Sequence, residues 1–428
     1  MNSNEIYVSL DIGTSSVKVI IGEMVNDALN IIGVGNVPSE GLRKGSIVDI
    51  DETVHSIRKA IEQAERMIGM DIRQVIVGIT GNHIMLQPSH GVVAVSSENR
   101  EISDVDIARV LEAAQVVSVP PEREIIDVIP KQFIVDGLDE IHDPRGMIGV
   151  RLEVEGTIIT GSKTILHNIL RCVEKAGLEI LDITLQPLAA GSFALSKDEK
   201  NLGVALIDIG GGSTTIALFE QGGLRATSVL PVGGDHITKD ISIGLRTSSE
   251  DAEKLKIKYG HAFYDHASED VVFNVPIIGS DQQQTFNQLE LSDIIEARME
   301  EIFEMILAEI HRLGLRDVPG GFVLTGGVAN TPGILELAQV VFENRVRIAI
   351  PDYIGVREPH FTTAVGLIKF AYKNAKIQGR QMSSTSVNNH EVKEKRPVKQ
   401  AQAKSKPEKQ PEEKVSSKMK KFFGYFFE

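Results

Sequence analysis

Two acidic, glycine-rich loops about half a chain apart constrain this sequence more than any other feature. The first, Asp11-Ile12-Gly13-Thr14-Ser15-Ser16-Val17-Lys18, follows the apolar run Ile6 to Leu10. The second, Asp208-Ile209-Gly210-Gly211-Gly212-Ser213-Thr214-Thr215, follows Gly203 to Ile207. Each reads as a strand that ends in Asp-Ile-Gly and turns sharply into small hydroxyl residues. Glycine lets the backbone approach a ligand closely. Successive backbone N–H groups in such turns form anion-binding concavities. Serine and threonine hydroxyls add donors, and Lys18 adds a point charge. Asp11 and Asp208 would repel phosphate directly, so they imply an intervening divalent cation, Mg²⁺ with its waters. Two such loops face to face would clamp one polyphosphate from both sides.

Another stretch, Gly156 to Thr164, has the outline of a P-loop, but Ser162 separates its second glycine from Lys163. That motif needs lysine directly after glycine. The alternation Val150, Leu152, Val154 leads into it, so a strand and turn is expected there instead.

The chain has 428 residues, 42% hydrophobic and 24% charged. That suits two or more domains with substantial cores. Cys172 is the only cysteine. It sits in an apolar helical pattern and reads as a core residue. The N-terminus shows no signal-peptide pattern, and no run of about 18 apolar residues suggests a transmembrane helix. A cytosolic protein, or one on a membrane face exposed to the cytosol, is expected. The net charge of −14 is uneven. Residues 379–428 carry 12 Lys/Arg against 6 Asp/Glu, so the acidic excess lies in the body. An acidic body argues against nucleic acid as a partner. A basic tail suggests a target of its own.

Along the chain, a strand meander over Tyr7–Ile21 and Ile31–Val37 precedes a helix capped by Asp51, then a strand at Val75–Ile79. Strand patterns at Ile125–Ile129, Phe133–Val135 and Val150–Val154, with a helix from Ser103 to Ala114, suggest an inserted α+β module. A helix from Thr164 to Ala176 follows. A polar segment spans about 236–290, and Ser292 is expected to cap the long amphipathic helix after it. Phe322–Leu324 reads as a buried strand, and Ala364–Tyr372 as a final helix.

Composition then changes. Residues 379–414 hold almost no large apolar side chain and read as a disordered linker, with a reach on the order of 35 Å. Beyond it, Val415, Met419, Phe422, Phe423, Phe426 and Phe427 recur at helical spacing, with Lys420 and Lys421 opposite and Lys418 at the edge. Phenylalanines on one face and lysines on the other describe a helix lying in an anionic membrane interface. Packing against a partner protein is the competing reading.

The paired loops, in this order, resemble the actin-like ATPase superfamily. The resemblance implies a ribonuclease H-like, two-lobed α/β fold that binds ATP and Mg²⁺. Gln186-Pro187-Leu188-Ala189-Ala190 resembles its connecting element, in which Gln186 would orient the attacking water. Gly13, Thr14, Ser15 and Lys18 would hold the phosphates, opposed by Gly210, Gly211, Gly212, Ser213 and Thr214. Thr325-Gly326-Gly327 resembles the adenosine turn, and Glu253 and Lys256 the ribose contacts. Slow ATP hydrolysis at most is implied.

Within the superfamily, the chain over 1–378 is most similar to the FtsA family of bacterial cell-division actin homologues. The likeness rests on Gly45 to Asp49, Ile129 to Phe133, Ser162 to Thr164 and Gly321 to Gly327. It implies a first lobe over 1–83, 164–200 and about 358–378, and a subdomain inserted at 84–163. A second lobe would take 201–235 and 305–357, with a partner-binding subdomain at 236–304. The linker would be 379–414 and the membrane helix 415–428. The family resemblance also implies actin-like filaments, binding of the FtsZ tail peptide, and tethering of FtsZ filaments at the septal membrane. Recruitment of later division proteins follows from it too. An actin-like pilus-assembly protein or a small-molecule kinase of the same fold is the alternative.

Overall fold

A computed structural model describes residues 5–43, 45–280, 282–315 and 317–379, together with the backbone of 387–388. Two five-stranded sheets repeat one topology. In the first, Glu5–Ile12, Ser16–Val25 and Ala28–Pro38 form an antiparallel meander. Gln74–Ile79 then adds parallel to the first strand, and Glu179–Leu185 parallel to that. In the second, Val204–Ile209, Thr214–Glu220 and Gly223–Leu230 form the meander. Phe322–Thr325 and Val346–Ile348 supply the parallel strands. Near-continuous apolar runs, such as Val204 to Ile207, suit strands covered on both faces. Each acidic loop is therefore the first hairpin of its lobe. This is the two-lobed α/β architecture expected from the sequence.

Helix Ile50–Ile68 covers the first sheet with Val54, Ile57, Ala60, Ile61 and Ala64. Its N-cap is Asp49 rather than Asp51. The Asp49 carboxylate accepts from the Asp51 and Glu52 amides at 2.9 and 3.0 Å, which leaves Asp51 in the first turn, favourable to the helix dipole. Helices Gln186–Ala194 and Thr362–Ile377 pack together, the second buried throughout its first two turns, Thr362 to Ile368. Cys172 is buried, and burial pushes its thiol up to about 11, so it is inert.

An inserted α+β module has its own sheet, in the order Leu138–Ile141, Arg123–Val135, Arg151–Ser162, Met85–Ala94. Helix Asp104–Ala113 lies against it. Ile107, Val110, Phe133, Leu152, Val154 and Ile158 form a separate core. The P-loop-like stretch is ladder-paired strand up to Ser162, with helix Lys163–Lys175 directly behind it and no cradle.

The polar segment expected over 236–290 is structured. It folds as helices Gly234–Gly244 and Ser249–Tyr259 and the hairpin Val272–Pro276/Gln283–Asn287. Ile237, Ile241, Leu245, Leu255, Phe273 and Val275 point inward and supply its core, which averaging along the sequence hides. The helix after it, Gln288–Arg312, is capped by Asn287 in a capping box with Glu290. Ser292 instead lies buried within that helix. No described helix is long and apolar enough to cross a membrane. The amphipathic residues Lys418 to Phe427 lie outside the described residues.

Candidate functional site

The two loops meet. Asp11 ends its strand directly opposite Lys18 on the next, and the ammonium reaches the carboxylate at 3.3 Å. Gly13 closes the hairpin by donating to the Ser16 carbonyl at 3.0 Å. In the second lobe, Asp208 stands opposite Thr215, and the Gly210 amide donates to Ser213 at 3.0 Å. The loops face one another closely enough that a Cβ on Gly211 would fall on the Ser15 hydroxyl, and one on Gly212 would lie 2.5 Å from the Thr14 methyl. Glycine here is a requirement of close approach, not of backbone angle.

Gln186 opens the helix between the lobes, and its Nε2 donates to Asp11 Oδ1 at 2.7 Å. Asp11 is thus held from two sides, by Lys18 and Gln186. Asp208 accepts from the Thr363 hydroxyl at 3.1 Å. Burial, reinforced by the Asp11 carboxylate, pushes Asp208 above the usual carboxylate range, against the pull of Lys18 and Thr363. A cation between the two carboxylates would relieve that repulsion. Among the described residues, no three His, Cys, Asp or Glu side chains form a direct metal cluster. The donor set therefore fits a cation held through water and phosphate.

Gly326, at a φ of 90°, brings the adenosine-turn candidate against Asp208. Gly327 has open space at its Cβ position. Lys256 Nζ donates to Gly234 O at 3.1 Å, Thr238 Oγ1 at 2.7 Å and Glu253 Oε2 at 2.6 Å. Glu253 and Lys256 thus form a buttress behind the Gly233-Gly234 turn rather than two free arms.

Three residues join the site without a signal read from the sequence. Asp235 stands beside Gly211, its amide donating to Gly211 O at 2.9 Å. Burial raises its pKa, tempered by Lys256. Its place after a glycine pair at the start of a helix was a readable signal. His360 lies near Lys18, and burial together with that ammonium lowers the imidazole's pKa, against the pull of Glu358 and Asp11. Thr363 reaches Asp208 from the last helix. Nothing local in the sequence marks the last two.

The sequence model for "Cell division protein FtsA" matches residues 205–366, and that for "SHS2 domain inserted in FTSA" matches 81–160. The chain is 63% identical to the cell division protein FtsA of Bacillus subtilis over the whole of both chains. It is 42% identical to that of Enterococcus faecalis, again over the whole of both. Among solved structures, it is similar to the PilM-PilN type IV pilus biogenesis complex, with a TM-score of 0.57 and 17% identity, over 84% of this chain and 97% of that one. It is similar also to MreB5 of Spiroplasma citri bound to ADP, at 0.54 and 15%, over 87% and 98%. At those identities the structural likeness shows the fold alone, which is actin-like.

Proposed function

The chain belongs to the FtsA family of cell division proteins, and on that premise we propose that it is an ATP-dependent filament former tethering FtsZ filaments to the membrane. The observation that carries the nucleotide part is the meeting of the two loops, with Asp11 held by both Lys18 and Gln186. Backbone amides of Gly13 to Ser15 and Gly210 to Ser213 would hold the β- and γ-phosphates, with Lys18 neutralising charge. Asp11 and Asp208 would bind Mg²⁺ through its waters. The cation supplies charge neutralisation on the phosphates. Gln186 is a poor base and is already engaged by Asp11. It can orient a water but not deprotonate it, so turnover is slow and the nucleotide serves as an assembly clock. MreB5, of the same fold, is bound to ADP.

Tethering rests on the C-terminal amphipathic pattern, Met419, Phe422, Phe423, Phe426 and Phe427 against Lys418, Lys420 and Lys421. One helix of this length binds weakly. Filament formation would add avidity by presenting many copies at once. The FtsZ tail peptide is the proposed partner of the 236–304 region. The protein would sit on the cytoplasmic face at the septum and recruit later division proteins there.

Vesicles of anionic lipid test this reading by co-sedimentation with the full chain and with a chain ending at Lys414, each with and without ATP and Mg²⁺. Binding that is lost on truncation, and strengthened at least several-fold by nucleotide in the full chain, is expected. Equal sedimentation of both chains would remove the tether. Sedimentation indifferent to nucleotide would remove the assembly clock.

A further inference from the structure

At the root of the inserted module, three residues beyond strand Gln74–Ile79, Asn82 crosses to the other lobe. Its Nδ2 donates to the Val229 carbonyl at 2.6 Å, and its Oδ1 accepts from the Val229 amide at 2.6 Å. Val229 lies in Gly223–Leu230, an edge strand of the second-lobe sheet. The side-chain amide therefore takes the place of the peptide group that a further strand would offer, and satisfies both main-chain groups of one edge residue.

The next residues along the chain carry the second phosphate loop. Val232 O accepts from the Thr214 hydroxyl at 2.8 Å. Gly234 N donates to Gly210 O, and Asp235 N to Gly211 O, each at 2.9 Å. The loop thus rests on a segment whose upstream end is gripped by the other lobe. On the same side, Ser228 donates to Glu309, which Arg312 holds from the next turn of its helix. The strand end is fixed from two directions.

We propose that Asn82 is a positioning residue that sets the second phosphate loop against the first, and so couples occupancy of the cleft to the root of the inserted module. The ligand half of this inference rests on the nucleotide reading above. Because the Asn82 contact spans the lobes, a parting of them at this edge breaks both hydrogen bonds to Val229. A ligand that clamps the lobes must strengthen them.

Amide hydrogen exchange resolved to single residues tests it, in the full chain and in the Asn82→Ala and Asn82→Asp variants, first without ligand. Exchange at Val229 is expected at least tenfold faster in Asn82→Ala, with Gly234 and Asp235 following. Amides of the inserted core at Leu152 and Val154 should not change. Asn82→Asp keeps an acceptor but loses the donor, so it should be intermediate at Val229. Adding ATP and Mg²⁺ should slow Val229 exchange in the natural chain only, and the dissociation constant should rise tenfold or more in Asn82→Ala. Unchanged Val229 protection in both variants would overturn the proposal, as would a freed Val229 with Gly234 and Asp235 unaffected. If the natural chain fails to bind ATP, the nucleotide reading falls, and the ligand-free exchange still decides the role of Asn82.

Discussion

Gly326→Ala is expected to destabilise the second lobe by more than about 3 kcal/mol and to abolish ligand binding in the cleft, whereas Gly327→Ala next to it changes stability by less than roughly 0.5 kcal/mol. Gly326 follows the buried strand Phe322–Thr325 and has a φ of 90°, a conformation that alanine adopts only under strain. Its Cβ would lie 2.5 Å from the Ile209 carbonyl oxygen, and closer still to the Asp208 carboxylate. Ile209 is main chain at the end of its strand, held antiparallel to Thr214, and cannot step aside, while moving Asp208 disturbs the candidate cation site directly. Gly327 has a φ of −64° and nothing within 4 Å of its Cβ position. The two variants differ by one residue in position and not at all in composition. Thermal unfolding and ATP titration of both therefore separate a backbone requirement from a general intolerance of the turn. Equal unfolding temperatures for the two would refute the close approach of Gly326 to Asp208.

What was legible in the sequence was local. A strand that ends in Asp-Ile-Gly and turns into hydroxyls is written in consecutive residues, so both loops could be read directly, and the two-lobed fold followed from the resemblance they carry. The resemblance gave Gln186 a water to orient, and its contact to Asp11 is visible only in the structure. Contacts supplied by tertiary packing left no local mark: His360 and Thr363 reach the cleft from the far end of the chain. Choices between neighbours also failed where two residues could do the same work. Asp49 and Asp51 are both competent caps for one helix, and Asn287 and Ser292 both precede apolar runs. The pattern broken at Pro130 is one continuous strand, Arg123–Val135. Its pairing slips by one residue there, Glu155 facing Gln132 and Gly156 facing Pro130. That bulge accommodates the missing proline N–H, so the gap between the strand patterns Ile125–Ile129 and Phe133–Val135 is an irregularity within one strand.

Asp106→Asn is expected to cost about 3 kcal/mol at neutral pH, with the loss confined to the inserted module and shrinking in acid. Asp106 is fully buried. Its Oδ1 accepts from the Ser96 amide at 3.0 Å, the Ser96 hydroxyl at 2.8 Å and Arg109 at 3.4 Å. Its Oδ2 accepts from the Ser103 amide at 3.1 Å and hydroxyl at 2.9 Å. Burial alone would raise its pKa, but the hydrogen bonds from Ser96 and Ser103 outweigh burial and hold it at about 2. An asparagine keeps one acceptor and turns its –NH₂ on donors at the other, which leaves buried amides unsatisfied. The native pKa lies below the unfolded value, so the ionised form stabilises the fold. That contribution, roughly 2 kcal/mol, is complete above the ordinary aspartate range near pH 4 and is lost as pH falls toward 2. Denaturant unfolding of the natural chain and the variant at pH 7 and pH 3 checks this. The gap between the two chains should narrow at pH 3, and a gap that is constant or wider there would show that the carboxylate is not stabilising as the ion. Because Ser103 caps helix Asp104–Ala113 and Ser96 follows strand Met85–Ala94, this one carboxylate ties the module's helix to its edge strand, and its loss should loosen that edge before either lobe of the body.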